Sequence, residues 1–462
     1  MCGIYEGASL TIAALAAETH DEGLYLPRES QPSVRIRCAT KDKELGYMRI
    51  ARSFDPGPGY SPRIGVGPAF PQELGMSRWD TRGWVMQERL ISRRIVYFGR
   101  RQLFWECQEM TYKEDGIQDG SEILAGDGSP KRDLYGKLAR YKLSAPLNAI
   151  LSIFVGTVGP IFLYGVIKDY TSRELSYGGD KEKAMAGIAQ AINLRLGMPD
   201  YAYRYGIFLR YVDRLLLWHW KSGFLEKPEN SRAPSWSWMA YDGQISILKP
   251  LRISRSIGDC SFVDTASVRS MVGITPAGVS DPVGLKIREA RVLPMLWLAE
   301  TPAQTPQIDA WLGDVFQRFD QSSSGIYSYL FPPKLIQKYI DALVIKKRNL
   351  DSPALNRFTL SVDAAHPICG TIKFDLEEYS THSSTIFCLI VCEEAERKKW
   401  WKRNQETGLI RIYHLLALEE VRLSRDAKIP VYRRIGVAQT IWAGELGFPI
   451  HEKATSREIL LI

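Results

Sequence analysis

This sequence of 462 residues lacks the features that usually announce a reaction. It has no G-x-S-x-G elbow, no H-E-x-x-H pair and no dinucleotide glycine fingerprint, so hydrolase, zincin and Rossmann-type chemistry are left without their usual carriers. Pro56-Gly57-Pro58-Gly59 is rich in glycine, but no G-K-[ST] follows it, and proline removes N–H donors that a phosphate would need. The 7 cysteines are odd in number and form no framework, which points to a reducing compartment, the cytoplasm. Cys388 and Cys392 face the same way in a strand-like run but stand about 13 Å apart, too far to share one ion. With His366, Cys369, His382 and His414 as the other ligand types, no metal site and no cofactor are expected. Cysteine here reads as a small buried hydrophobe. A basic leader followed by a long apolar run is also lacking, so no secretory signal is expected at the N-terminus.

What is present is the composition of a globular protein. Apolar residues make up 45% and charged residues 24%, which argues against general disorder, and the length allows two or three domains with a full core. The net charge of +8 is spread along the chain. Its two clusters are Arg93, Arg94, Arg100 and Arg101, and Lys398, Lys399, Lys402 and Arg403. Without interleaved aromatics on a recognised nucleic-acid-binding fold, these read as solvated faces and no nucleic-acid partner is expected.

The most informative stretch is Arg82 to Cys107, RGWVMQERLISRRIVYFGRRQLFWEC. Trp84, Gln87, Glu88 and Ile91 recur at i, i+3, i+4 and i+7, which predicts one stripe of a short helix. Ser92-Arg93-Arg94 ends it. Ile95–Phe98 and Gln102–Cys107 read as two strands around Gly99-Arg100-Arg101, a hairpin with glycine in its loop. From the residues alone this is a buried tryptophan helix leading into a hairpin. Glu88, next to Trp84, is the best single candidate for an acid of raised pKa; the alternative is that it pairs with Arg82 or Arg89.

The order of residues in this stretch resembles the last characteristic block of the fungal heterokaryon-incompatibility (HET) domain. That block reads R-[AG]-W-x-x-Q-E-R-x-L-S-x-R, followed by a Y-F strand and a W-E-C strand. The resemblance is carried by Arg82, Gly83, Trp84, Gln87, Glu88, Arg89, Trp105, Glu106 and Cys107. MCGIYEGASLTIAALAAETHDEGLYLPRE at residues 1–29 is similar to the middle of the same domain, and the resemblance therefore implies an N-terminally truncated domain. Asp169–Asp180 resembles the segment that joins the domain to a helical region. Ala233–Gly243, APSWSWMAYDG, resembles a second family signature through Pro234, Ser235, Trp236, Ser237, Trp238, Asp242 and Gly243. Core packing is the plainer reading of its two tryptophans, a ligand platform the sharper one. Tyr432 to Gly436 and Arg457 to Ile462 resemble the C-terminal part of such proteins.

Elsewhere, Ala8–Ala17 reads as a buried strand and turn, and Ser53–Gly75 as a Pro- and Gly-rich loop. Lys181–Leu196 predicts a helix with Asp180 as N-cap and Gly197 as its stop. Ile207–Trp220 predicts a second helix with a wide apolar face and His219 as a structural residue. Leu285–Leu298, Cys369–Leu376, Ile386–Cys392, Ile410–Leu418 and Val431–Val437 predict strands, with a helix at Ile336–Ile345. Leu143–Ile167 runs for about 25 residues without a charge, long enough for a bilayer span. Pro146, Asn148, Gly156, Gly159 and Pro160 weaken such a helix. A single-pass span, a buried broken helix or hairpin, and a non-native insertion remain open. Membrane contact is expected only in the first case.

The expected architecture is α+β overall. Residues 1–115 would form a partial α/β domain, which the resemblance makes TIR-like; 116–245 a helical connecting region; 246–462 a β-rich module whose edge carries the Trp236/Trp238 motif. The resemblance implies heterokaryon incompatibility, non-self recognition and regulated cell death, exerted through a protein partner or self-association and not by an enzyme. It also implies an alternative, a TIR-like NAD glycohydrolase in a longer form of the protein, and beside that an inactive remnant.

Overall fold

In the computed structural model, residues 2–25, 33–40, 44–51, 70–100, 102–107, 111–114, 160, 163–196, 199–248, 250, 253–264, 266–268, 283–299, 358–361, 370–380, 385–397, 409–421, 429–443 and 454–462 are described. Helices and strands are mixed, as α+β requires, and the chain divides into two compact units, Met1–Asp200 and Tyr201–Ile462. The Pro234–Gly243 motif thus falls in the same unit as the C-terminal strands.

The first unit opens with helix α1 (Cys2–Gly7) and strand β1 (Thr11–Ala13). A hairpin of β2 (Ser33–Ala39) and β3 (Glu44–Ala51) follows, then three short helices, α2 (Phe70–Gly75), α3 (Arg78–Thr81) and α4 (Gly83–Ile91). Strands β4 (Arg94–Phe98), β5 (Leu103–Cys107) and β6 (Thr111–Lys113) complete a four-stranded sheet in the order β1-β4-β5-β6. The hairpin expected around Gly99 is present, with Phe98 opposite Leu103. β1 runs parallel to β4, pairing Thr11 with Ile95 and Ala13 with Tyr97. Parallel neighbours need a crossover, and here it contains α2 to α4, an α/β connection. Ala13, Leu15, Leu74, Ile95, Tyr97 and Phe104 form the core beneath this sheet, with Trp79 against it.

Two expectations for this unit are corrected. Phe70–Gly75, placed in a Pro- and Gly-rich loop, is a helix that buries Leu74; proline at its second position costs nothing because the first N–H groups of a helix have no partner. In α4 the buried residues are Gly83, Val85, Met86, Gln87, Leu90 and Ile91, so Trp84 and Glu88 lie on a half-covered flank and not in the core. Residues 163–170 are helical and carry the buried Leu163, Tyr164, Val166, Ile167 and Tyr170. Most of the uncharged run 143–167 lies outside the described residues, as do Ile336–Ile345, Pro56–Gly59 and Gly197. No helix among the described residues is long and apolar enough to cross a membrane. With 163–170 taken as α5, the unit ends in α6 (Lys181–Leu196), which buries Ala184, Ile188, Ala189 and Ile192 on the expected stripe.

The second unit is built from strands. Small elements come first: β7 (Tyr203–Arg204), β8 (Ile207–Phe208), α7 (Val212–Leu215), β9 (Trp218–Trp220) and β10 (Ile245–Ile247). The single helix expected over Ile207–Trp220 is therefore corrected to a strand, a short helix and another strand. Leu215, Leu216, Leu217 and Trp218 are all fully buried, so over these residues burial does not follow a helical period.

The large sheet contains β11 (Ile253–Ser256), β12 (Cys260–Val263), β13 (Gly284–Ala299), β14 (Phe358–Ser361), β15 (Gly370–Phe374), β16 (Thr385–Arg397), β17 (Leu409–Glu420), β18 (Val431–Ala443) and β19 (Thr455–Leu461). β13 pairs with β16 along one side and with β14 along the other, while β16-β17-β18-β15-β14 are paired in succession. The six strands thus return to their starting point, a closed barrel-like circuit. β19 bridges β18 and β13 at the other end. Alternate residues, among them Leu293, Met295, Ile386, Cys388, Ile390, Tyr413, Leu415, Ala417, Ile372 and Phe374, fill one cluster. A bulge between Ile390 and Cys392 breaks the alternation, so the two cysteines are not a same-face pair.

At Gly436 a Cβ would overlap the backbone carbonyl of Lys373 and stand 3.0 Å from Phe374 Cα. Because the obstacle is the neighbouring strand and not a side-chain tip, Gly436→Ala is expected to cost about 1–3 kcal/mol, read as a lower urea midpoint of the full chain.

Candidate functional site

The family-like motif of the first unit is assembled by α4 and its neighbours. Arg89 reaches from the helix to β5 and forms a two-pronged bond with Glu106, Nε to Oε2 and Nη2 to Oε1, each at 3.1 Å. The Tyr97 hydroxyl, on β4, donates to Glu106 Oε2. Glu106 and Tyr97 are at most 1% exposed, so the carboxylate has exchanged water for a guanidinium and a phenol. Burial alone would push Arg89 downward, but Glu106 outweighs it and the guanidinium is held charged; burial and Glu106 together push Tyr97 well up. α4 is thereby bolted to the hairpin that follows it.

The other motif residues make equally local contacts. Gly83 N donates to Glu174 O at 2.7 Å, and a Cβ at Gly83 would sit 2.5 Å from Leu175 Cδ2. Glycine is needed there because the 174–175 backbone lies against the helix start. Gln87 packs on Gly187 of α6, where a Cβ would collide with its amide. Ser92 Oγ donates to Glu88 O at 2.7 Å and meets Thr11 Oγ1 at 2.8 Å, tying the helix end to β1. Sequence reasoning missed Arg173, which bonds Asp80 Oδ1 at 2.9 Å and Asp169 Oδ2 at 3.1 Å while also reaching the Asp80 carbonyl. Its signal was the Asp169–Asp180 segment, which the resemblance marked without giving it a contact.

Glu88 lies within the field of the Arg82 charge and meets the Tyr5 hydroxyl, while Arg89 is committed to Glu106. Burial pushes its carboxyl upward, opposed by Arg82 and by the Tyr5 bond, and Tyr5 is itself raised by burial and by Glu88. Trp105 is half-buried on β5, and Cys107 is a free, half-buried thiol.

The second motif lies in the interior of its unit. Trp236 and Trp238 are fully buried, in line with the plainer reading of core packing. Trp236 O accepts from Trp218 Nε1 at 3.0 Å, and Trp236 stacks on Phe262 with centroids 5.5 Å apart. Trp238 packs over Gly206, whose φ of +78° and lack of Cβ admit the indole. Ser237 Oγ donates to Tyr205 O and caps Met239 N; Asp242 accepts from Arg232. Pro234 is buried, and Gly243, at φ +120°, lies against Leu225.

The centre of this arrangement is Arg434, which is fully buried beside the fully buried Asp375. Its Nε donates to Asp375 Oδ2 at 2.9 Å and Nη2 to Oδ1 at 3.2 Å, while Nη1 donates to Leu216 O at 2.6 Å and Nη2 to Trp218 O. The guanidinium lies 3.2 Å from the centroid of the Trp218 ring. Ser235 Oγ accepts from Arg434 N and donates to Ile462 O. Burial pushes the Asp375 carboxyl upward against the pull of Arg434. Asp375 went unseen in the sequence. The clue to Arg434 was the adjacent pair Arg433-Arg434 in an apolar strand, since alternation turns one of two neighbours inward. No group of three or more possible metal ligands occurs among the described residues; His414 bonds Gln439, and His366, Cys369 and His382 lie outside them.

Against known sequences, residues 1–88 match the family model described as Heterokaryon incompatibility protein (HET). The match ends at Glu88 in α4, so this part of the chain is similar to that family. Searches of curated proteins and of solved structures returned no match.

Replacing Glu106 with alanine takes the two-pronged carboxylate partner from the largely covered Arg89 guanidinium, an expected loss of about 2–3 kcal/mol. Hydrogen exchange of β4 and β5 should accelerate accordingly, with no change in β16 to β18. A pH effect follows from His219, which burial and then nearby Lys373 push down to about 3, against its Nδ1 contact to Trp220 O. The unfolded chain binds a proton below about pH 6.5 that the folded chain refuses. Stability should therefore fall by up to about 1.4 kcal/mol per pH unit as pH drops from 6.5 toward 3. The slope of midpoint against pH should flatten in His219→Gln.

Proposed function

We propose that this chain acts in heterokaryon incompatibility as a HET protein of the non-self-recognition and regulated-cell-death type, working in the cytoplasm through contact with a protein partner or a second copy of itself. The observation that carries the reading is the HET match over residues 1–88, ending within α4. It is supported by what the motif residues do: Gly83, Gln87, Arg89 and Glu106 hold α4 to its neighbours and spend their polarity on that task. A motif of this kind sets the shape of a surface and not the course of a reaction.

One observation favours a second reading, a TIR-like NAD glycohydrolase activity belonging to a longer form. Glu88 is half-buried beside Trp84, with its carboxyl raised by burial, a usual environment for a general acid.

Induced expression of the chain in a fungal host is expected to arrest growth, and Glu88→Gln should arrest it equally. Normal growth with the full-length chain accumulating to high level would sink the effector reading. NAD loss in the presence of purified chain, abolished by Glu88→Gln, would replace it with the enzymatic one.

A further inference from the structure

Inside the strand circuit of the second unit the apolar cluster ends in a polar layer. Arg291 on β13 has the parity of Leu293 and Met295 and so faces that cluster. Register carries the layer onward: Arg255 of β11 stands opposite Glu393 of β16, Glu393 opposite Tyr413 of β17, and Tyr413 opposite Thr440 of β18. Glu393, Tyr413 and Thr440 are buried, while Arg255 is exposed and marks the solvent side. The strands part at this level. β13 pairs with β16 as far as Val292 opposite Leu389, and from Cys392 onward β16 pairs with β11 instead. Arg291, next to Val292, stands where the two strands separate. Here a charge is left unmet. Arg291 Nη1 and Nη2 are both shielded from water without a hydrogen-bond partner, and Thr440 Oγ1 is in the same condition. Burial and then Arg255 push the Arg291 guanidinium downward, opposed by Glu393 and Tyr413. Glu393 is therefore near enough to be felt, yet accepts from neither terminal nitrogen. Arg89 and Arg434, by contrast, each meet a carboxylate with two nitrogens.

We infer that this layer is a binding site for a small carboxylic acid, whose carboxylate takes the two terminal nitrogens of Arg291, with Arg255 and Thr440 as further donors. A guanidinium offers parallel N–H groups in a plane, and the two oxygens of a carboxylate match them. A buried charge without such a partner is costly, so a ligand that supplies one is held by the energy the free chain forgoes. Charge selects among oxyanions. Among the described side chains of the layer two guanidiniums stand against one carboxylate, an excess that a single negative charge balances. A phosphate dianion overshoots it and is repelled by Glu393. Water supplies an oxygen but no charge, and so leaves the guanidinium uncompensated. The site lies in the second unit and outside residues 1–88, so it goes beyond the incompatibility reading.

The test uses the purified full chain and acetate as the probe, with binding read as saturation transfer from the protein to the acetate methyl protons. Transfer is expected to saturate with acetate. Formate should displace acetate, while phosphate at a pH where it is a dianion, and chloride at equal ionic strength, should not. Arg291→Met keeps most of the aliphatic stem and should raise the half-saturating concentration at least roughly tenfold, the worth of a charge-assisted hydrogen bond. Arg255→Gln, at an exposed position that folding does not need, should raise it by roughly two- to fivefold. Circular dichroism establishes that each variant is folded; should Arg291→Met fail to fold, Arg255→Gln decides. No transfer to acetate, an unchanged half-saturating concentration in the folded variants, or phosphate displacing acetate better than formate does would overturn the inference. None of these outcomes depends on growth arrest, so the anion site and the cell-death reading stand or fall separately.

Discussion

Arg434 has no contact with water, and the second unit is organised around satisfying it. A buried guanidinium is costly to desolvate and tolerable only when its donors are met and its charge is balanced. Asp375 supplies the charge, the carbonyls of Leu216 and Trp218 take the remaining donors described here, and the Trp218 ring covers one face. Its partners come from two distant parts of the chain, so the cation specifies an arrangement as well as contributing to its stability. β18, Asp375 just past β15, and the start of β9 with Leu216 before it must all be in place together. The Trp236/Trp238 motif holds the same centre from another side, through Trp218 Nε1 and Ser235 Oγ.

The first unit uses the same chemistry on a smaller scale. Arg89, Glu106 and Tyr97 form a buried three-membered network across α4, β5 and β4, and Arg173 forms a second around Asp80 and Asp169. In both units planar guanidinium groups do the joining, which suits a side chain that stays charged when buried and offers a fork of donors. Glycine supports these joints from below. Gly83 and Gly187 have no side chain where Leu175 and Gln87 press against them, so these neighbours approach the helix backbone closely.

Two parts of this fold are legible in the sequence because they have a wet side. α6 and the β4–β5 hairpin each present alternating or helical periods because one face meets solvent, and their positions were foreseen nearly to the residue. Ile207–Trp220 shows the limit of that signal: its apolar residues recur at helical spacing while the chain passes from strand to short helix to strand. The strands β13 and β15 to β18 were visible, but their closure was not, because pairing between β13 and both β14 and β16 depends on which edges meet. Of the candidate site residues, the sequence marked Glu106 and Arg89 through resemblance alone, and nothing in it linked Asp375 to Arg434. Trp84 shows the opposite error: a large aromatic at a helical spacing was taken for core and is half-exposed.

The closed strand circuit has a consequence for the order in which the chain is made. β13 is synthesised well before β16 and β18, and its first half finds β19 only when residues 455–461 have emerged. At the usual pace of translation the interval is on the order of ten seconds or more. During it, Leu285, Ile287, Val292 and Leu293 have no barrel to enter, and the carbonyls of Leu216 and Trp218 await a guanidinium still to be added. The second unit therefore completes its strand circuit only late in synthesis, and a chain that ends before β18 presents open sheet edges in place of the circuit.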